Sequence, residues 1–320
     1  PRKIEMATQL TSGTASFNLD LSELVEEAFE RVGSELRTGY DLKTARRSMN
    51  LLFADWANRG VNMWTFEQGT ITLTPGLNTY VIPSDTVDLL DHVIRTQANV
   101  QANQADLTIT RISVSTYATL PNKLQQARPI QVWYQRLDGQ ISPTAATFVS
   151  QDTSAQTITL STAAGLPAIG YVDIVTSGGT ETVFYNYIDG NTLGQVFRAQ
   201  NGTTQQTPAA GDKIRVNNTP RVTLWPTPDA SQTYQFVYWR MRRTQDAGGG
   251  ANVMDVPFRF IPPMAAGLSY YIAGKIPEGM DKVVMLKQQY DEAWELAAYE
   301  DHEKAALRFV PRQQFIGNTI

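Results

Sequence analysis

Catalysis and metal binding need a nucleophile, a paired acid and base, or a ligand set, and this 320-residue sequence offers few of them. It contains no cysteine, which removes a disulfide framework, a thiolate metal site and a cysteine nucleophile from consideration. Its only two histidines are His92, inside a predicted strand, and His302, in the run Glu300-Asp301-His302-Glu303. Neither has partners at the spacing a zinc site requires, and the 300–303 cluster reads as a solvated helix face. Asp85, Asp88 and Asp91 recur at short intervals, but the glycine and closing glutamate of a calcium loop are missing. They read as polar residues around a turn and a strand. No phosphate loop, nucleophile elbow or HExxH helix is present, so no cofactor, metal or catalytic residue is expected. Glycoside hydrolysis needs only two carboxylates at a set separation, and no pair stands out here.

Arg240, Arg242 and Arg243 form a short basic run. Strand alternation puts Arg240 and Arg242 on one face and Arg243 on the other. That suits ion pairs between subunits, with contact to DNA phosphates in a channel as the alternative. A formal net charge of -4 and the lack of a Lys/Arg block argue against a tight grip on nucleic acid. Trp133-Tyr134 and Tyr238-Trp239 are expected in the core or at an interface between subunits. A sugar-stacking platform would instead have to expose residues such as Tyr185 and Tyr187.

The elements that would position these residues are legible in outline. Asp20 and Glu23 form a capping box. Leu21, Leu24, Val25, Ala28, Phe29 and Val32 then share one helical stripe that ends at Gly33. Asp41 can cap a second helix carrying Leu42, Ala45, Met49, Leu52, Phe53 and Trp56, after a Gly39-Tyr40 link, with Gly60 as its stop. From residue 69 the pattern becomes short strands, at 69–74, 79–83 and 87–96, with a Pro75-Gly76 turn; a meander is predicted. Further strands are read at 129–137, 220–225 and 233–241. Thr-rich strands fill 139–217, with turns at Ser177-Gly178-Gly179, Asp189-Gly190-Asn191 and Asn201-Gly202. This stretch reads as an independent module whose replacement by a Gly/Ser linker the rest should tolerate. Helical period returns at 258–275 and from 280 to about 307, where Val283, Leu286, Tyr290, Trp294 and Ala297 recur. Apolar stretches are short and residues 1–30 lack a signal-peptide layout, so no membrane anchor is expected.

Five segments, taken in order, resemble the head-to-tail adaptors of short-tailed bacteriophages, the tail accessory factor or tail tubular protein A family. They are ELVEEAFERVG (23–33), LLFADWANRGVNMWTFEQ (51–68), TLPNKLQQARPIQVWYQR (119–136), LWPTPD (224–229) and YDEAWELAAYEDHE (290–303). The resemblance implies an α+β fold in which N- and C-terminal helices form a bundle beside a β-sheet domain. That core would comprise 1–138 plus 218–320. The segment 139–217, absent from a minimal adaptor, is similar to inserted β-sandwich modules of immunoglobulin-like type in phage structural proteins. The implied function is non-enzymatic: a dodecameric virion ring at the head-tail junction, assembled in the host cytoplasm. Its partners would be the portal protein above and tail nozzle or tail fibre proteins below, with double-stranded DNA passing through unread. The tail 308–320, with Phe309, Val310, Arg312, Phe315 and Ile316, is the expected portal-docking segment. A virion-associated cell-wall hydrolase and a carbohydrate- or receptor-binding tail protein are the alternatives.

Overall fold

The computed structural model describes residues 16–35, 39–60, 63–152, 154 and 156–301. In chain order, α1 is Leu21–Val32, α2 Gly39–Arg59, β1 Phe66–Thr72, β2 Thr79–Val81, β3 Thr86–Thr96, β4 Ala105–Thr108 and β5 Thr110–Arg111. A short α3 (Val114–Ala118) leads to β6 (Gln131–Gln135), β7 (Ile141–Gln151), β8 (Thr157–Leu160), β9 (Gly170–Thr176) and β10 (Gly179–Tyr185). Then come β11 (Tyr187–Asp189), β12 (Thr192–Gly194), β13 (Phe197–Gln200), β14 (Lys213–Asn217), β15 (Arg221–Trp225) and β16 (Tyr234–Arg242). The chain ends its described part with α4 (Ile261–Ala273) and α5 (Val283–Glu300). The fold is mixed α+β. It divides into a helical unit, containing residues up to 65 and from 244 onward, and a β unit, 66–243. No helix among the described residues is long and apolar enough to cross a membrane.

In the helical unit α1 begins where expected. Asp20 accepts from the Glu23 amide at 2.8 Å and Glu23 returns a bond from the Asp20 amide at 3.2 Å. The amides of Leu21 and Ser22 donate to the Asn252 and Gly250 carbonyls, so three of the donors a helix start leaves open are satisfied. The stop is Gly33 in the left-handed region, φ 88°. The second helix differs from expectation: it begins at Gly39, so Gly39 and Tyr40 lie inside it and Asp41 belongs to its first turn. Helix α4 is buried almost all round, as a helix packed between others must be. A Cβ on its Gly267 would come within 2.9 Å of Tyr290 and 3.0 Å of Leu52, so glycine lets α5 and α2 approach α4 closely. Trp56, Phe260 and Trp294 meet with centroids 4.9–5.8 Å apart, and the Trp56 indole donates to the Tyr290 hydroxyl at 2.9 Å.

The β unit holds three sheets, ordered β1-β16-β3-β4, β2-β15-β6-β5, and β11-β12-β8-β7-β14-β9-β10-β13. The predicted meander is not what forms. Strand β16 enters from far along the chain between β1 and β3, antiparallel to both, while β2 joins the second sheet beside β15. Tyr234, Phe236 and Tyr238 of β16 are buried, and a strand this apolar gains more at the centre of a sheet than at its edge. The turns in 139–217 fall where their glycines predict: Gly179, Gly190 and Gly202 all have positive φ.

The segment 139–217 has its own apolar cluster, including Phe148, Ile158, Val172, Ile174, Val183, Tyr185 and Ile214. It also contributes to a second one. The β9–β10 hairpin alternates, so Val172, Ile174, Val183 and Tyr185 face that inner cluster while Tyr171 and Phe184 join Leu77, Tyr80, Val222, Tyr234 and Phe236 of the flanking strands. The Tyr171 hydroxyl donates to the Thr79 carbonyl at 2.6 Å. Strands β7–β14, all within 139–217, pair only with one another, while Tyr171 and Phe184 pack beyond 138 and 218, and compactness groups the segment in one unit with the strands on either side of it.

Candidate functional site

The structure disperses the residues that sequence singled out. Phe309, Val310, Arg312, Phe315, Ile316 and His302 lie outside the described residues. Arg240 is bonded to Asp85 at 2.5 Å and Glu67 at 2.8 Å, and Arg242 to Glu67 at 2.6 Å. As the alternation predicts, Arg240 and Arg242 meet on one face, where both bind Glu67. The partners belong to the same chain, so the charge offered to a neighbour or to phosphate is reduced. The Arg243 amide donates to the Asp85 carbonyl. Asp88 holds Arg111 and Arg136, and among the described residues no cluster of three metal-ligating side chains forms. His92 is buried beside Phe236, and burial pushes its imidazole below the ordinary range. Tyr134 and Tyr238 are core residues. Tyr185 is fully buried and cannot belong to an exposed platform, whereas Tyr187 is half exposed.

Tyr187 instead stands at the edge of a cavity of about 440 Å³ on the polar face of the β2-β15-β6-β5 sheet. This volume lies in the range of small-ligand sites, roughly 300–1,000 Å³. The face exists because β15 alternates. Val222 and Leu224 point into the core, leaving Arg221 and Thr223 on the other side. Register then sets Thr79 and Trp133 beside Thr223, and Gln135 beside Arg221. The far wall comes from 139–217, through Ala168, Ile169, Asn186, Tyr187 and Gln195. Tyr187 is seated across Gly194, its register partner, whose added Cβ would fall 2.1 Å from the ring.

The floor is wired. Gln135 Nε2 donates to Thr223 Oγ1 at 3.0 Å, and Thr223 and Thr79 are joined Oγ1 to Oγ1 at 3.1 Å. Thr79 in turn donates to Asn78 Oδ1 at 3.0 Å, which orients the Thr223 hydroxyl toward Thr79. Trp133 stacks on Tyr117 with centroids 4.8 Å apart, and the Lys123 ammonium lies over the other ring at 5.5 Å. Arg221 is 6% exposed. Among the described residues its guanidinium makes no hydrogen bond or ion pair, and its Nε is enclosed without a partner. Burial lowers its pKa, opposed by the neighbouring Tyr171 and Tyr185 hydroxyls. A Cβ on Gly170 would approach Arg221 Nη1 to 3.1 Å, so a glycine backbone makes room for the group.

An adjoining cavity of about 570 Å³ includes Gln126, Gln156, Phe197 and Arg198, and a third of about 320 Å³ includes Tyr80 and Tyr171. None of the three is lined by an aspartate or glutamate, so the opposed carboxylates of a glycosidase are not found in them. Sequence reasoning passed over Arg221. Its signal was a single arginine on the polar phase of the short strand RVTLW. No family model matches the sequence, and no curated protein matches it either.

Proposed function

We propose that the chain is a non-enzymatic structural virion protein, a subunit of the ring joining portal to tail in a short-tailed bacteriophage. The observation that carries this reading is a set of exposed apolar side chains on one arc of α5, interspersed with Gln288, Glu292 and Glu295. Val284, Leu296 and Tyr299 are 80%, 75% and 77% exposed, and with Met285 they fall within about 120° of helix, counting about 100° per residue. The buried residues Leu286, Tyr290, Trp294 and Ala297 occupy the opposite arc. Large apolar side chains mixed with polar ones are the make-up of an interface between subunits, and a ring subunit covers such a face with a different patch on its neighbour. Two further observations support the reading. The resembling segments 23–33, 51–68 and 290–303 share the apolar core of the helical unit. Segments 119–136 and 224–229 lie side by side, with β6 paired to β15 and Trp225 Nε1 donating to the Asn122 carbonyl at 2.9 Å.

On this reading the helices form the adaptor's bundle, and the eight-stranded sheet is its immunoglobulin-like sandwich. The ring is dodecameric, resides at the head-tail junction, and passes DNA without binding its sequence. Mass photometry and negative-stain microscopy of the full chain, alone and with portal rings, test this. Rings in either condition are expected. A Leu296→Glu/Tyr299→Glu variant should keep its circular dichroism and melting temperature yet form no rings, since burying a side chain of leucine size contributes about 1.5–3 kcal/mol that a charge would forfeit. A wild-type monomer indifferent to portal would sink the proposal; rings of the double variant would remove α5 from the interface.

A further inference from the structure

Arg221 is not used by a role in assembly. Each buried polar group without a partner calls for a reason, and burying an unpaired charge costs several kcal/mol. The cavity wall offers it no carboxylate, and among the described residues its Nε has no hydrogen-bond partner. Only Nε is enclosed, which leaves the Nη atoms open to the cavity, where an anionic ligand would supply the compensating charge. A guanidinium fork fits carboxylate or phosphate through two parallel hydrogen bonds. Phosphate sites are commonly built from backbone amides at helix starts or glycine-rich turns. Here the floor is made of strand side chains, and the groups around Arg221 suit something else. Gln135, Thr223, Thr79 and Asn78 form a directed row of amides and hydroxyls, matched to a molecule with several hydroxyl groups. Trp133 closes one side and Tyr187 the mouth, giving flat apolar faces for the carbon skeleton of a ring.

We propose that this cavity binds a carboxylate-bearing sugar, with Arg221 on the carboxylate, the Thr79–Thr223–Gln135 row on ring hydroxyls, and Trp133 against the ring face. The site lies wholly within the β unit and stands whether or not the chain forms rings.

The test is isothermal titration calorimetry of the full chain with glucuronate, using glucose, acetate, inorganic phosphate and a glutamate-rich peptide as references. Saturable binding of glucuronate is expected, at least about tenfold tighter than any reference, since one charge-assisted contact is worth about 1.5–3 kcal/mol and 1.4 kcal/mol is a factor of ten. Arg221→Met should weaken glucuronate by roughly 10- to 100-fold. Its melting temperature should equal or exceed that of wild type, because the variant removes an unpaired buried charge. That second readout separates a ligand-binding arginine from a structural one, whose loss would lower the melting temperature. Absence of saturable heat with glucuronate at about 10 mM, a weak-binding ceiling, would overturn the proposal. So would equal binding of glucose, acetate, phosphate or the peptide, or a destabilised Arg221→Met that binds as wild type does.

Discussion

A chain in which residues 139–217 are replaced by a short Gly/Ser linker is expected to lose the cooperative fold of the β unit. Tyr171 and Phe184, both within that segment, are among the largest fully or almost fully buried side chains. They fill the space between Leu77, Tyr80, Tyr234 and Phe236. Truncating one buried aromatic costs about 3–5 kcal/mol. Two such losses approach the whole of a domain stability of about 5–15 kcal/mol, even though neighbouring losses need not add. Excision would also strand the Thr79 carbonyl that Tyr171 now satisfies and open the polar face of β15 to water. Thermal melts and near-ultraviolet circular dichroism decide the matter. A sharp melt and intact aromatic signal in the excised chain would show that the flanking strands pack without the segment, as sequence reasoning alone suggests.

Arg198→Met is expected to destabilise the β unit by about 3–5 kcal/mol, the usual consequence of removing one partner from a buried ion pair. Glu181 has no exposed surface and Arg198 is 7% exposed. The carboxylate accepts from Arg198 Nε at 2.6 Å and from the amides of Ala199 and Gln206 at 2.9 and 2.8 Å. Arg198 also donates to the Gln206 carbonyl, so one pair ties three strand-and-turn segments together. Ala199 adopts a left-handed φ of 52°, a conformation disfavoured for alanine by about 1–2 kcal/mol, and its amide is thereby turned to Glu181. Burial pushes the Glu181 carboxyl up, but the Arg198 hydrogen bond and the two amides outweigh it, holding the pKa below its ordinary value of 4.5. A carboxylate with a depressed folded pKa contributes stability in full above the unfolded value and loses it as pH falls through the folded one. Wild type should therefore lose stability on acidification below about pH 4.5. Glu181→Gln should flatten that slope, and Arg198→Met, which leaves the carboxylate buried without its guanidinium, should shrink or reverse it, because protonation then relieves the unpaired charge. Urea melts across this range check both, and an Arg198→Met variant as stable as wild type at neutral pH would refute the assignment.

How much was legible from sequence depends on how far apart the cooperating residues lie. The start and stop of α1 were readable because Asp20, Glu23 and Gly33 act on backbone groups within a few residues. The same holds for the buried stripe of α5 and for the turns at Gly179, Gly190 and Gly202. Strand partners were not readable. The order β1-β16-β3 joins residues about 140 to 175 positions apart, and alternation reports which side chains share a face without saying what covers it. For that reason the β9–β10 hairpin, buried on both faces, looked like part of a free-standing module. The pairing of Arg240 likewise rests on Glu67 and Asp85, distant in sequence and unmarked by any motif. The cavity is the extreme case. Its lining comes from around residues 78, 117–135, 168–195 and 221, and only packing sets an ordinary arginine of a short strand at a cavity wall that offers it no carboxylate. Sequence by itself determined the start and stop of α1, the buried stripe of α5 and the glycine turns, because local backbone chemistry selects them. The tertiary structure alone decided which faces meet and which charge is left without a partner, because burial depends on everything that surrounds a residue.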